Sequence, residues 1–279
     1  MSQVAVPDFL ADMAAGSRLR VRRARELRSE AELRRLAAAM PAPLPLQLSA
    51  QRFDLIAELK LRSPAVGQLR DAGSEDINMR VRQYAAAGAA AVSVLTEPTR
   101  FDGSLAHLEQ AARVLPVPAM RKDFLVDPYQ VLEARVAGAG GVLVIVRMLP
   151  LAELEALIDC ALEQQLFVLL EAFDEADIEL TARLIDARGA ARGPLLLGVN
   201  CRDLTTLQIV PARLLELAPR LPGHVQRVAE SGVTTAADAA RVAAAGYDLA
   251  LVGSALMQGG DPGELVQAML RAGRAARVA

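Results

Sequence analysis

Apolar positions along this chain follow two rhythms. Short runs of six to eight residues, rich in Val, Leu and Ile and continuous rather than alternating, are each followed by longer stretches where Leu, Val and Ala recur at helical spacing among Glu, Arg and Gln. The short runs are "RFDLIAEL" (52–59), "AAVSVLT" (90–96), "VPAMRKD" (117–123), "GVLVIVR" (141–147), "LFVLLEA" (166–172), "LLLGVN" (195–200), "VQRVAES" (225–231) and "LALVGS" (249–254). A strand apolar on both faces suits a parallel sheet covered on both sides. The intervening segments, such as "SEDINMRVRQYAAAG" and "LAELEALIDCALEQQ", are long enough to be crossover helices. The pattern predicts an α/β fold, either a closed (β/α)8 TIM barrel or an open doubly wound sheet. The barrel is favoured: eight units is the closing number, and no G-x-G-x-x-G follows the first strand.

Residues 1–47 precede the first strand and read as an N-terminal helical extension packed on the barrel, with residues 48–279 as the barrel itself. Within the extension, the locally basic "SRLRVRRARELRSEAELRRL" (17–36) carries Leu and Val at helical spacing among Arg and Glu, the pattern of a solvated amphipathic helix, with a polyanion-binding patch as the lesser reading. "PAPLPLQ" (41–47) should be an extended connector. Gly88, Gly138 and Gly246 each come shortly before a strand, where helices end.

Composition narrows the field. The chain has 279 residues, 53% of them hydrophobic, but no Trp, so aliphatic side chains and Ala must fill a sizeable core. A net charge of −2 gives no reason to expect nucleic acid or an anionic membrane as partner. Two cysteines, Cys160 and Cys201, with two histidines, His107 and His224, offer no disulfide framework, little to build a zinc site from and no hydrolytic triad. Cys160 lies among Leu, Ile and Ala in a helical pattern and reads as core. With neither a signal-peptide pattern nor an 18-residue apolar run, a cytoplasmic protein is expected.

The strands end in polar residues: Glu58 and Lys60; Thr96 and Glu97; Arg121 and Lys122; Arg147; Glu171; Asn200 and Arg202; Glu230 and Ser231; Gly253 and Ser254. One such end would be the start of a solvated loop. Eight in a barrel converge on one mouth, where barrel active sites are built. Lys beside Glu there can shift each other's pKa, as acid–base work requires. "AESGV" (229–233) and "VGSAL" (252–256) place Gly and Ser at the last two strand–helix junctions, where backbone N–H groups can meet an anion. Phosphate sites in barrels are often built after strands seven and eight, so a phosphate ligand is expected.

These residues resemble the indole-3-glycerol phosphate synthase family. The resemblance is carried by "IAELKLRSP", "SVLTEPTRFDGSL", "MRKDFLVDPYQVLEAR", "GVNCRDLTTL", "VAESGV" and "LVGSALM", in family order from about residue 8 to the C-terminus. It implies a (β/α)8 barrel with an N-terminal helical extension and a sugar-phosphate substrate, 1-(2-carboxyphenylamino)-1-deoxyribulose 5-phosphate. The implied reaction is ring closure, loss of CO2 and loss of water in tryptophan biosynthesis, with no metal or organic cofactor. It further implies Lys122 as general acid, Glu171 as general base or proton shuttle, and Lys60 as the contact for the substrate's anionic groups. Glu58 and Glu230 would hold sugar hydroxyls and tune the lysines. Asn200 and Arg202 would position the anilino end and the hydroxyls. Ser63, Ser231, Gly232, Gly253 and Ser254 would line the phosphate end. A monomer or weak homodimer is expected.

The chain departs from the family pattern at Ala65, where a second loop Ser is usual, at Leu61, often basic, and at Cys201, often Asn or a small polar residue. These departures touch loop contacts and substrate preference. Two other readings remain open: another sugar-phosphate barrel, such as a phosphoribosyl isomerase, and a paralogue that has lost catalysis and serves as a scaffold. The first would need a different acid–base pair. The second would be marked by loss of Lys122, Glu171 or Glu230, all present.

Overall fold

A computed structural model describes residues 9–50, 52–64, 66–70, 75–189, 194–203, 206–258 and 260–278. Eight parallel strands close into a barrel: β1 Asp54–Leu59, β2 Ala91–Leu95, β3 Ala119–Lys122, β4 Gly141–Ile145, β5 Phe167–Ala172, β6 Leu195–Asn200, β7 Gln226–Glu230 and β8 Leu249–Val252. Each pairs with its neighbours in sequence, and β1 closes the ring on β8 through Asp54 opposite Leu249 to Ala57 opposite Val252. The doubly wound alternative is thereby excluded. Two strands are shorter than their apolar runs. β3 begins only after Pro118, which has no N–H to give the ladder. β4 stops at Ile145, where Val146–Met148 tighten into a 3₁₀ turn that carries Arg147 out of the strand.

The strands are buried on both faces, except at the start of β7 where Gln226 is exposed, and the side chains sort by parity. One set points inward and fills the barrel: Ile56, Ala91, Met120, Leu143, Phe167, Leu169, Leu196, Val228 and Leu249. The alternate set packs under the surrounding helices in a larger cluster that includes Leu55, Val92, Val142, Val168, Leu197 and Ala250. Phe167 can lie flat in the narrow interior because Gly141 sits beside it; a β-carbon there would come closer than 3.0 Å to the ring. The expected helix ends at Gly88, Gly138 and Gly246 are present, with φ of +101°, +86° and +105°, a region open to Gly at little cost. Cys160 is buried on helix Leu151–Glu163, in the core as expected.

The amphipathic stretch before the barrel forms two helices, α1 (Phe9–Leu27) and α2 (Glu30–Ala39), split at Ser29, whose hydroxyl accepts from Glu32 N–H as an N-cap. Helix α1 lies against the third βα unit. Gln130 Nε2 donates to the buried Ser17 Oγ at 2.8 Å, Arg20 pairs with Asp123 at 2.7 Å, and Arg25 meets both oxygens of Asp127 at 2.9 and 3.0 Å. The Pro-rich connector is extended, and Arg135 ties it down by donating to the carbonyls of Met40 and Pro41. Among the described residues no helix is long and apolar enough to cross a membrane.

Phe167→Ala should empty the middle of the barrel. A fall of about 3–5 kcal/mol in unfolding free energy is expected, the usual cost of removing a buried Phe, read from urea denaturation midpoints at unchanged slope.

Candidate active site

The parity that packs the interior also decides which strand ends reach the mouth. Going up the inward set from the apolar layers leads to Glu58, then Lys60 just past β1, and to Lys122, Glu171, Asn200 and Glu230, all lining one pocket. Ser63, Arg202, Ser231, Gly232, Gly253 and Ser254 line it too. Four other polar residues at the strand ends do not. Thr96 and Arg121 have the opposite parity: Arg121 donates to Gln130 O at 2.7 Å and to Thr96 Oγ1 at 3.1 Å beneath the helices. Glu97 caps helix Pro98–Phe101, accepting from Thr99 and Arg100 N–H. Arg147 turns outward to Asp177 and Asp174, with its guanidinium over the Phe173 ring.

At the floor, Lys122 Nζ stands 3.0 Å from Glu171 Oε2 and 3.8 Å from Glu230 Oε2. Asn200 Nδ2 donates to the other Glu171 oxygen at 3.2 Å, and Asn200 Oδ1 accepts from Arg202 N–H. Lys60 Nζ pairs with Glu58 Oε1 at 2.7 Å. Glu58, Glu171 and Glu230 are each no more than 2% exposed. Burial pulls the Lys122 ammonium down, but the charges of Glu171, Glu230 and Glu58 outweigh it and leave its pKa above the ordinary lysine value. Burial pushes Glu171 up, yet Lys122 and the hydrogen bonds around it hold it below the usual carboxylate value. Glu230 goes the other way: burial and the charge beside it on Glu171 raise it well above, and Lys122 only partly offsets them. Two carboxyls a few ångströms apart are thus pushed to opposite sides of their common starting value, the arrangement that gives an acid and a base in one site.

Above this floor the pocket changes character. Phe9 from α1 meets Phe124 edge to face with ring centroids 5.8 Å apart, Phe101 packs tilted against Phe124 at 6.1 Å, and Leu95, Leu143 and Ile145 continue the wall. On the far side, Ser231 and Gly232 are consecutive left-handed residues at φ +65° and +71°, a turn that exposes backbone N–H groups. The pocket encloses about 1030 Å³, part of it open to solvent.

Of the three departures, Ala65 lies outside the described residues. Leu61 is buried, and Arg62 beside it reaches Asp102 at 3.7 Å. The Cys201 thiol is buried beneath Gly232, 2.9 Å from where a β-carbon there would lie, and burial pushes its pKa up to about 11, so it is no thiolate. Sequence reasoning missed the aromatic wall and the close approach at Gly198 on β6, where a β-carbon would run into Glu230 Oε1. The wall joins residues from three separate segments, which no local pattern links. Gly198 did leave a signal, a Gly inside a strand run, which marks close approach of another group.

A closed barrel whose inward strand ends gather ammoniums and carboxylates under an apolar wall defines a (β/α)8 enzyme equipped for acid–base chemistry. The family described as indole-3-glycerol phosphate synthase matches residues 10–269. A relative of that name from Nocardioides sp. is 42% identical over 263 residues, covering 93% of this chain and 97% of its own. Another, from Parafrankia sp., is 43% identical over 226 residues, or 81% of each chain. The solved 3-hexulose-6-phosphate synthase from Salmonella typhimurium superposes with a TM-score of 0.60 over 81% of this chain and 98% of its own, at 14% identity, a likeness of fold alone. The chain belongs to the indole-3-glycerol phosphate synthase family.

The raised Glu230 has a consequence for stability. Between the unfolded and the folded pKa the unfolded chain releases the proton while the folded one keeps it, so stability falls as pH rises through that window. Glu230→Gln removes this slope. The variant should gain stability over the parent progressively as pH rises from 4, in urea melts across that range; a constant difference would contradict a raised Glu230.

Proposed function

We propose that this chain performs the reaction for which its family is named, converting 1-(2-carboxyphenylamino)-1-deoxyribulose 5-phosphate to indole-3-glycerol phosphate, CO2 and water. The observation that carries the reading is the Lys122 ammonium held between Glu171 and Glu230 at the barrel mouth.

The aryl ring lies against Phe9, Phe101 and Phe124, and the phosphate lies at Ser63, Ser231, Gly232, Gly253 and Ser254. Binding both ends folds the flexible chain between them, so that the ring carbon bearing the carboxylate approaches the carbonyl carbon. As that C–C bond forms, Lys122 gives a proton to the carbonyl oxygen, which becomes a hydroxyl. Its high pKa keeps it charged for this task at neutral pH. The C–CO2 bond then breaks, and its electrons return to the ring. Lys60 steers the departing carboxylate, with Glu58 fixing the ammonium. In the dehydration the C–O bond to that hydroxyl breaks and it leaves as water with a proton from Lys122, which has been recharged from solvent after the first step, while Glu171, ionised at rest, takes a proton from the adjacent CH2 beside the nitrogen and the C–H electrons form the new C=C bond. Glu230 holds sugar hydroxyls and tunes Lys122. Asn200 orients the Glu171 carboxylate and, with Arg202, the anilino end.

Residues 48–279 are read as the catalytic barrel and 1–47 as an extension packed on it, in a cytoplasmic enzyme that works as a monomer or weak homodimer.

Mixing the purified protein with the carboxyphenylamino-deoxyribulose phosphate should give indole fluorescence and CO2; a folded protein that gives neither would sink the proposal. Lys122→Met should lower kcat by about 10²–10⁴-fold, the scale of one positioned acid–base group, with circular dichroism unchanged. Near-parental kcat in that variant would reassign the acid.

A further inference from the structure

Two glycines face inward among the charged groups, and each stands where a side chain would strike a carboxylate. Gly198 lies in the middle of β6, with Glu171 of β5 opposite it on one side and Val228 of β7 on the other. A β-carbon on Gly198 would come closer than 3.0 Å to Glu230 Oε1, nearer than real side chains approach, and would touch Leu169 Cδ1 at 3.0 Å. A β-carbon on Gly253 would overlap Glu58 Oε1 in the same way. Neither glycine adopts a left-handed backbone, so the chain conformation does not call for glycine at either place. What each preserves is space. Glycine inside a strand weakens it, and the space has to be worth that loss.

The occupant of the Gly198 space is held by little else. Glu230 is 1% exposed; Lys122 at 3.8 Å is an ion-pair contact only, and the neighbour its carboxyl can hydrogen-bond is Glu171, which requires a proton on one of the two. Beyond Glu171, the shape of the wall keeps this carboxyl beside Lys122. We propose that Gly198 is a positioning residue for the reaction: its missing side chain is the socket that seats the Glu230 carboxyl against Lys122 and Glu171, with Gly253 providing the matching socket for Glu58. The inference rests on the role given to Glu230 above.

The atom displaced by a Gly198 methyl is the far end of a flexible side chain, so the barrel can accept the methyl by swinging the carboxyl away. Gly198→Ala should therefore fold and lose rate. The expected loss in kcat is about 100-fold, of the order of losing one acid–base group, with KM within a few-fold of the parent. A packing defect alone would not move the pH profile. Here the groups facing Lys122 are Glu171, Glu230 and Glu58, and taking Glu230 away weakens the hold on its proton. The alkaline limb of kcat should shift to lower pH by the same amount in Gly198→Ala and Glu230→Gln.

The decisive comparison is the cycle of Gly198→Ala, Glu230→Ala and the double variant, assayed on the carboxyphenylamino-deoxyribulose phosphate and melted thermally. In the Glu230→Ala background the methyl fills vacated space, so the second change should cost no further rate and should raise Tm relative to Glu230→Ala. Multiplying losses, or a double variant that fails to fold, would overturn the socket, because the methyl would then be clashing with something other than Glu230. Should Glu230→Gln keep parental turnover, the role of Glu230 falls and the socket's purpose with it. Should Glu230→Gln lose turnover while Gly198→Ala keeps it, the socket alone is refuted.

Discussion

A lysine ammonium held between two buried carboxyl groups is the constraint that organises this barrel mouth. Desolvating three ionisable groups is costly, and the cost is recovered only when charges are paired at short range. Lys122 and Glu171 pair at 3.0 Å, and Asn200 adds a hydrogen bond. The third group cannot be served equally, so Glu230 resists ionising. That imbalance suits an anionic ligand.

The surrounding structure secures that arrangement. Asp123, next in sequence to Lys122, has the opposite parity at the end of β3. Thr96 Oγ1 donates to it at 2.7 Å, Arg121 at 3.1 Å, and Arg20 of α1 at 2.7 Å. The strand end that presents the lysine is therefore clamped from behind by a buried network and from the side by the N-terminal helix. Positioning of this kind, more than any single contact, distinguishes a reactive ammonium from a solvated one.

Much of this was legible in the sequence because the barrel obeys a period of two. Continuous apolar runs marked the strands, and their polar ends marked the mouth, which located Glu58, Lys60, Lys122, Glu171, Asn200 and Glu230. Position at a strand end could not separate Lys122 from Arg121 or Leu95 from Thr96; that separation depends on register, which is a property of the closed sheet. The family resemblance supplied roles that periodicity does not encode. The wall of Phe9, Phe101 and Phe124 was invisible because its members come from the N-terminal helix, the short helix Pro98–Phe101 and the loop after β3, joined only by tertiary packing. Gly198 was visible as a letter but not as a cavity, since its meaning depends on a Glu thirty-two residues away in the chain.

The docking of α1 against the third βα unit also bears on the order in which the molecule is made. Arg20 and Asp123 are 103 residues apart in sequence. The entropy lost in closing so long a loop grows only with the logarithm of its length, so the helix can wait for its partner without a heavy penalty. It cannot dock before β3 and the helix after it exist. A segment made before the barrel thus settles only after the third βα unit has formed, and the aromatic wall it contributes is completed only then.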